Sequence, residues 1–395
     1  MNLASLLFLA GALFILYTLV GYPLLLTALA RRARVPIERR WEPRTVSILL
    51  PIRNGEGWVR NKLQSIRALN YPRELLEILV ASDGSTDSTE ATVREFEIEG
   101  VRLFSLPPGG KAVALNLLME HASGEILFFT DVRQTLDPDS LRLLVACFAD
   151  LTVGVASGEL VILDQQGRED TEVGLYWQYE KWMRKRLSSI DSLPGATGCI
   201  YAMRRELAVP LPPDCLLDDV YLPMAAFFRG RRLILEDMAK AYDSSSPLGT
   251  EFRRKVRTQA GIYQILFAFP DLLGPRNRMW IHFVSHKFAR LLLPFALALI
   301  AVSSFWLPEP WGRLALSGQA LFYGLAFLDI WLPPGFPLRR LTSPIRTFVT
   351  LHGRNVVRQF HPIPAPETFL ALSHRHRSRQ PGPSGPKLES RRFMK

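Results

Sequence analysis

Hydrophobic residues follow one pattern in the middle of the chain and another near its ends. Between residues 44 and 245, short apolar runs alternate with stretches of helical periodicity. This alternation predicts an α/β domain with a mostly parallel sheet and helices on both of its faces. The predicted strands are residues 46–50, 76–81, 101–105, 126–130, 153–163 and 233–235.

A longer apolar segment precedes this domain. Residues 2–30 carry no charged side chain and are long enough to cross a bilayer core of about 30 Å. Arg31, Arg32 and Arg34 follow at once. Because basic residues flank spans on the cytoplasmic side, residues 1–30 are predicted to be a transmembrane helix that leaves the following domain in the cytoplasm.

Further apolar segments follow the predicted sheet. Residues 250–280 are interrupted by prolines and are predicted to form helices on the membrane surface, with a buried core helix as the alternative. Two more spans are predicted at 288–307 and 314–334, and a basic cytoplasmic tail, disordered at its end, at 338–395. These segments predict a multi-pass protein of the cell inner (plasma) membrane with about three transmembrane helices.

The net charge of +11 resembles that of a nucleic-acid-binding protein until its distribution is considered. Residues 338–395 contain twelve Lys or Arg and two Glu, so 12 − 2 places +10 in the tail. A cytoplasmic tail of this charge suits anionic membrane lipids, and no aromatic-interleaved basic patch indicates a nucleic-acid partner. Cys147, Cys199 and Cys215 lie far apart, which favours reduced thiols.

Polar groups stand where the predicted strands end, the edge at which open sheets bind ligands. The first strand leads into Pro51, Asn54 and Glu56, the second into Asp83, and the fourth into Asp131. Lys111 follows two glycines and could meet a diphosphate. Asp83 could accept a hydrogen bond from a uracil ring. The stretch that begins at Asp83 is equally typical of a turn and helix cap.

The order of these motifs resembles that of the membrane-anchored glycosyltransferases of family 2, over roughly residues 44–300. The matching stretches are VSILLPIRNGE, LVASDGSTDST, GGKAVALN, GEILFFTDVR, TGCIYAMRRE, LLDDVYLPMAAFFRGRR and RRKVRTQAG. The resemblance implies a GT-A nucleotide-sugar domain that inverts the anomeric carbon. A UDP-sugar is the expected donor, and a polysaccharide or a lipid-linked sugar the expected acceptor.

The resemblance also implies roles for single residues. Asp83 would match the acid that binds the base, Lys111 a residue near the donor, and Asp131 the first acid of D-x-D. Asp219 would match the general base, and the neighbouring Asp218 would raise its pKa through like charge. An N-cap for a helix beginning near Val220 is the alternative for this pair. Residues matching the acceptor and diphosphate side are Gly198, Arg204, Arg254 and Arg257. A turn glycine and a surface cation are the alternatives for the first two.

Two positions depart from the family pattern. Arg133 replaces the second acid of D-x-D, which leaves Asp131 as the single candidate ligand for magnesium or manganese. Arg133 could instead neutralise the leaving diphosphate. Thr258 stands where processive members have a tryptophan, which puts processivity in doubt. Aromatic residues that could replace it as an acceptor platform, or form core, are Tyr176, Trp177, Tyr179 and Trp182.

Alternative functions stay open. Three spans are few for a polysaccharide channel, so the chain forms a homo-oligomer, has an export partner, or transfers a single sugar to a lipid carrier. A non-catalytic subunit of an export complex is a rival motivated by Arg133. A dinucleotide-binding oxidoreductase is set aside because G-x-G-x-x-G is missing after the first strand.

Overall fold

The predicted strands form the centre of the structure, a computed structural model that describes residues 2–163, 175–244, 248–333, 336, 338, 342, 345 and 346. Only the backbone is described at residues 175–176, 248–256 and 259. The strands in this part of the chain are β1 (Val46–Ile52), β2 (Leu76–Asp83), β3 (Val101–Leu106), β4 (Ile126–Thr130), β5 (Thr135–Leu136), β6 (Val153–Leu163), β7 (Ile200–Arg204) and β8 (Arg232–Ser244).

These strands form one sheet in the order β3-β2-β1-β4-β7-β6-β8-β5. The first four are parallel, and β6 is parallel to β8. The sheet is nevertheless mixed, because β7 runs antiparallel to both β4 and β6, and β5 antiparallel to β8. The prediction of a mostly parallel sheet is corrected here. The sequence analysis missed β5 and β7, two short strands that owe their place to pairing with longer neighbours.

Alternation of side chains along the strands explains why helices cover both faces. Ile48 and Leu50 of β1 point into one core cluster and Leu49 into the other, and all three are fully buried. The helices are α1 (Leu3–Leu16), α2 (Tyr22–Arg32), α3 (Val59–Arg67), α4 (Thr89–Arg94), α5 (Lys111–His121), α6 (Ser140–Ala146), α7 (Leu175–Ile190), α8 (Asp218–Phe228), α9 (Leu248–Ala268), α10 (Trp280–Phe283), α11 (Ala289–Ser303) and α12 (Trp311–Leu328).

Two helices of the described residues are long and apolar enough to cross a membrane. One is Leu3–Arg32, made of α1, a π-helical turn and α2, and the other is Trp280–Trp306. They correspond to the spans predicted at 1–30 and 288–307. Helix α12 lies in the third predicted span but does not meet the same criteria, so that span stays a prediction. Most of the predicted tail at 338–395 lies outside the described residues.

The two apolar helices contact each other through polar side chains within and next to their π-helical turns, Tyr17–Gly21 and Val284–Phe288. The Tyr17 hydroxyl lies 2.7 Å from that of Ser285, and the Tyr22 hydroxyl lies 3.1 Å from Nδ1 of His282. Tyr22 is also fully buried, in a core cluster that it shares with residues of the sheet and of the helices that cover it. The first apolar helix is therefore packed against both the second one and the sheet domain.

Close approach of α1 to α11 requires a glycine. A Cβ atom at Gly11 would lie 2.9 Å from Cγ1 of Ile300 and 3.3 Å from the carbonyl oxygen of Ala296. Gly318 of α12 offers a matched control, because a Cβ there would meet nothing within 4 Å.

We therefore expect Gly11→Leu to destabilise the protein by about 1–3 kcal/mol, the usual cost of forcing extra atoms into a packed contact. Gly318→Leu makes the same change of helix propensity and should leave stability near that of the wild type. Thermal unfolding of both purified variants in detergent measures the difference. Equal melting temperatures for the two variants would contradict the close α1–α11 contact.

Candidate active site

The carboxyl edge of the sheet carries the acid that follows β4. Thr130 ends β4 and pairs with Ile200, the first residue of β7. Because β7 is antiparallel, the loop that enters it reaches the same edge as Asp131. The reversed strand thus brings residues 195–199 to the place where parallel strands present their ligand-binding residues.

Lys111, the first residue of α5, joins the two acidic parts of this edge. Its ammonium lies 3.0 Å from Oδ1 of Asp131 and 3.1 Å from Oδ1 of Asp218. Desolvation opposes its positive charge, but the carboxylates of Asp131, Asp218 and Asp219 outweigh that effect and raise the pKa of Lys111. Lys111 is thereby held as a cation between the acid that follows β4 and the acid pair.

Asp218 and Asp219 occupy the first turn of α8, where the positive end of the helix dipole favours carboxylates. The helix begins at Asp218 rather than near Val220, its N-cap is Leu217, and no side chain caps it. The N-cap alternative for the pair is therefore wrong. Asp218 is buried, and its Oδ2 has no hydrogen-bond partner among the described residues. A buried unpartnered carboxylate oxygen is costly, which is typical of a functional position.

Asp219 has a raised pKa and is closely packed against its neighbours. Desolvation and the neighbouring Asp218 raise its pKa to about 6, against the opposing effects of Lys111 and Arg257. Its backbone carbonyl accepts a hydrogen bond from the amide of Ala196 at 2.8 Å. A Cβ at Gly198 would lie 2.9 Å from its Oδ2. Gly198 therefore lies directly against the carboxylate, and its contact with an acceptor stays a prediction.

Asp83 ends β2 and is nearly buried. Its Oδ1 accepts hydrogen bonds from the amides of Gly109 at 2.6 Å and Gly110 at 2.9 Å, immediately before Lys111. Its Oδ2 lies 3.7 Å from the Arg53 guanidinium. One carboxylate oxygen thus orders the turn that presents Lys111. Contact of this residue with a base stays a prediction.

Three other predicted donor residues shape the edge between β1 and β2. Pro51 is half-buried in β1, in register with Ala81. Oδ1 of Asn54 accepts a hydrogen bond from the Thr86 amide at 2.9 Å, and Oε2 of Glu56 accepts one from the Ser88 hydroxyl at 2.9 Å. Asn54 and Glu56 therefore tie together the two loops that follow β1 and β2.

Arg133 lies in an ion pair rather than among the acids near Lys111. Its guanidinium donates to Oδ2 of Asp243 in β8, which also accepts a hydrogen bond from Gln134 at 2.7 Å. Asp243 is buried, so this pair is an internal one. The structure therefore compensates the charge of Arg133 with Asp243, and its suggested contact with a diphosphate stays a prediction.

Arg204 lies at the opposite edge of the sheet. Arg204 ends β7 and pairs with Ile126, the first residue of β4. Asp131 instead follows Thr130, the last residue of β4. Its guanidinium donates to the carbonyl oxygens of Val153, Phe148 and Asp150. The prediction that it flanks the acceptor is corrected, because antiparallel pairing puts residues 198 and 204 at different ends of the sheet. The alternative of a surface cation describes it in part, since its side chain is half-buried and bound to backbone.

Helix α9 supports the acid pair from behind. A Cβ at Gly261 would lie 2.4 Å from Cγ of Leu217, and the Gln264 side chain accepts a hydrogen bond from the Leu216 amide at 3.1 Å. Arg257, one turn before Gly261 on the same helix, is exposed and acts electrostatically on Asp219. The side chain of Arg254 lies outside the description.

Part of the chain matches a known protein family. Residues 47–209 match the family model described as Glycosyl transferase family 2. The chain contains a family 2 glycosyltransferase domain. This match confirms the predicted resemblance to family 2 glycosyltransferases, while membrane anchoring stays a prediction. It covers β1 to β7, the strands that bring Asp131 and Gly198 together.

Curated relatives of the glycosyltransferase domain align over part of their length. The probable glycosyltransferase YdaM of Bacillus subtilis is 27% identical over 174 residues, 41% of each chain. The β-monoglucosyldiacylglycerol synthase of Synechocystis is 29% identical over 28% of this chain and 24% of its own. The chondroitin synthase of Pasteurella multocida is 32% identical over 26% of this chain and 11% of its own. The matches thus span well under half of these relatives.

A solved structure shares the fold over most of the chain. The mannosyltransferase PcManGT from Pyrobaculum calidifontis, solved with GDP-Man and Mn²⁺, is 23% identical with a TM-score of 0.68. The alignment covers 89% of this chain and 96% of that one. The α/β GT-A-like fold predicted for the glycosyltransferase domain is thereby confirmed.

The sequence analysis missed Lys62, which lies beneath the loop of Asp131. Its side chain is fully buried in α3, and its ammonium donates to Oγ1 of Thr130 at 2.6 Å and to the carbonyl oxygen of Gln134 at 2.7 Å. It therefore holds residues 131–133 from both sides. Burial lowers its pKa to about 7. In the sequence, Lys62 is marked only as a lone lysine between apolar positions of a helix. That pattern is also typical of a solvent-exposed helix face, so it does not indicate burial.

We expect the stability of the protein to rise with pH between about 7 and 10 because of Lys62. The folded-state pKa of about 7 lies below the ordinary 10.5, so the unfolded state binds more protons in this window. Lys62→Met should remove that part of the pH dependence. Lys185→Met, a control at an exposed lysine, should keep it. Melting temperatures measured from pH 7 to 9.5 test this, and parallel curves for wild type and Lys62→Met would refute it.

Proposed function

We propose that the protein is an inverting glycosyltransferase that transfers a sugar from a nucleotide-sugar donor, a UDP-sugar, to a polysaccharide or lipid-linked acceptor. The reaction takes place on the cytoplasmic face of the cell inner membrane. The observation that carries the proposal is the position of Lys111 between Asp131 and Asp218. It joins the donor-side acid to the acid pair in one cleft, as a single displacement requires.

Each residue of the cleft has a chemical task in this proposal. A sugar hydroxyl is a poor nucleophile, so a base must take its proton as the new bond forms. Asp219 is that base, because its raised pKa of about 6 makes it a better proton acceptor than an ordinary aspartate while it stays ionised at neutral pH. Asp83 and the loops tied by Asn54 and Glu56 hold the nucleotide. Lys111 supports the charge of the diphosphate.

The donor side fits a divalent cation held partly by the substrate. Magnesium is usually bound by one or two carboxylates together with substrate phosphates. Asp131 supplies one half-exposed carboxylate, while the described residues contain no cluster of three metal-binding side chains. Asp131 would hold magnesium or manganese, which would neutralise the developing charge on the diphosphate. The PcManGT structure with Mn²⁺ supports this choice.

Membrane association is supported by the surface of the apolar helices. In α1, Leu3, Leu9, Leu13 and Leu16 are each about half exposed or more. A row of exposed leucines on one helix is typical of a lipid-facing surface. Burial of Tyr22 in the domain core ties this helix to the glycosyltransferase domain. The proposed membrane helices therefore hold the cleft close to the bilayer, where a lipid-linked acceptor is found.

The nearest alternative is transfer of a single sugar to a lipid carrier. Thr258 in place of the family tryptophan favours it. Membranes containing the protein, incubated with a panel of radiolabelled nucleotide sugars, distinguish the two. A ladder of products on a gel indicates a polymerase, and one band indicates single transfer. No incorporation from any donor would support a non-catalytic subunit instead.

Activity should depend on an ionised Asp219. We expect kcat to fall as the pH drops below about 6, because protonation removes the base. Asp219→Asn should lower kcat by about 10²–10⁴-fold. Asp271→Asn, at an exposed acid, is the matched control and should keep wild-type turnover. Unchanged activity of Asp219→Asn would reject the proposed base.

Turnover should also depend on a divalent metal. Because Asp243 already compensates Arg133, we expect a chelator to abolish turnover and added Mn²⁺ or Mg²⁺ to restore it. Arg133→Met should lower the melting temperature, since it leaves Asp243 buried without its partner. Full turnover in excess chelator would favour the contrary hypothesis, that Arg133 has replaced the metal.

A further inference from the structure

Basic side chains gather where α7 meets the second apolar helix. Arg184 comes from α7, and His286, Lys287 and Arg290 come from the helix Trp280–Trp306. Glu180, one turn before Arg184 on α7, is the acid that lies among them. Two further acids near α7 are already paired, Glu159 with Lys181 at 2.6 Å and Asp237 with Lys185 at 2.7 Å.

Glu180 does not compensate all of these charges. Its Oε2 lies 2.7 Å from the Arg290 guanidinium and 3.4 Å from Nε2 of His286. Arg184 donates only to neutral oxygens in the contacts described. These are the Gly195 carbonyl at 3.3 Å and the hydroxyls of Ser157 and Thr197, both at 3.1 Å.

Lys287 is the second cation without a paired acid. It is half-buried in the π-helical segment Val284–Phe288, and no hydrogen bond or ion pair joins it to another described residue. The charges that act on it are Glu180, Arg290, Arg184 and Asp219. A partly desolvated cation is costly unless an anion pairs with it, and short π-helical segments are frequent at functional sites.

Arg184 lies beside the loop that contacts Asp219. Arg184 binds Gly195 and Thr197, and the residue between them, Ala196, donates its amide to the backbone of Asp219. Gly198, next along the same loop, touches the Asp219 carboxylate. A group bound by Arg184 would therefore be separated from the proposed base, Asp219, by the loop of residues 195–198.

We propose that Arg184 and Lys287 bind the phosphate group of an anionic, lipid-linked acceptor whose hydroxyl is presented to Asp219. The phosphodiester that would join a sugar to a lipid carries one negative charge shared by two free oxygens, so one oxygen can meet each cation. The guanidinium fork suits phosphate oxygens, and the lysine adds a point charge. The neighbouring apolar helix suits a lipid tail. This inference rests on the proposed function and specifies its acceptor.

Binding of a model anion tests the site without turnover. The full-length protein in a neutral detergent is titrated calorimetrically with dodecyl phosphate and, separately, with inorganic phosphate. Lys287→Met should weaken dodecyl phosphate binding about tenfold or more, as loss of a charged contact does. Lys185→Met removes an exposed lysine next to Arg184 on α7 and should stay within about twofold of wild type.

Three results would overturn the inference. If Lys287→Met and Arg184→Met both bind dodecyl phosphate as tightly as wild type, neither residue binds the phosphate. If the wild-type protein does not bind dodecyl phosphate, the proposed anion site does not exist. Inorganic phosphate binding as tightly as dodecyl phosphate would refute the lipid-linked acceptor.

Donor hydrolysis by water separates this inference from the proposed function. We expect Lys287→Met to release nucleotide from the donor as fast as wild type, while its KM for a phosphate-bearing acceptor rises about tenfold or more. Dodecyl phosphate binding by a wild-type protein that hydrolyses no donor would reject the proposed function and still support the anion site. Donor hydrolysis without dodecyl phosphate binding would reject only the anion site.

Discussion

The arrangement of the cleft depends on one ammonium group, that of Lys111. Three carboxylates, Asp131, Asp218 and Asp219, come from two distant parts of the chain and would repel one another without it. Lys111 is itself placed by the turn that Asp83 orders through two backbone amides. A single cation at a helix start therefore connects four acidic residues, while burial and repulsion from Asp218 raise the pKa of Asp219.

The supports of this cleft lie outside the matched family domain as much as within it. Lys62 and the Arg133–Asp243 pair hold the loop after β4 from below and from the side. Helix α9 packs against the residue before the acid pair through Gly261, and Gln264 binds the same segment. The replacement of a D-x-D acid by arginine is thus accompanied by a buried acid elsewhere, which keeps the local charge balanced.

The two apolar helices are held together by polar contacts of their own. Tyr17 contacts Ser285 and Tyr22 contacts His282, within and next to the π-helical turns, so the two helices are joined there. The uncompensated Arg184 and Lys287 lie at this junction. The described charges are divided accordingly, with the acids around Lys111 and the two cations where α7 meets the second apolar helix. The proposed transfer from a water-soluble donor to a lipid-linked acceptor would use such a division.

Hydrophobic periodicity and motif order predicted the α/β class, six of the strands and two long apolar helices, and they named Asp131 and Asp219 as candidates, because both patterns are local in the sequence. Which residues meet follows from the packing of the folded chain. It reversed β7, and so brought Gly198 to Asp219 and carried Arg204 to the far edge. It also paired Arg133 with Asp243, 110 positions away, and buried Lys62. Pairing of strands and ions distant in sequence depends on packing of the whole sheet, which no local pattern encodes.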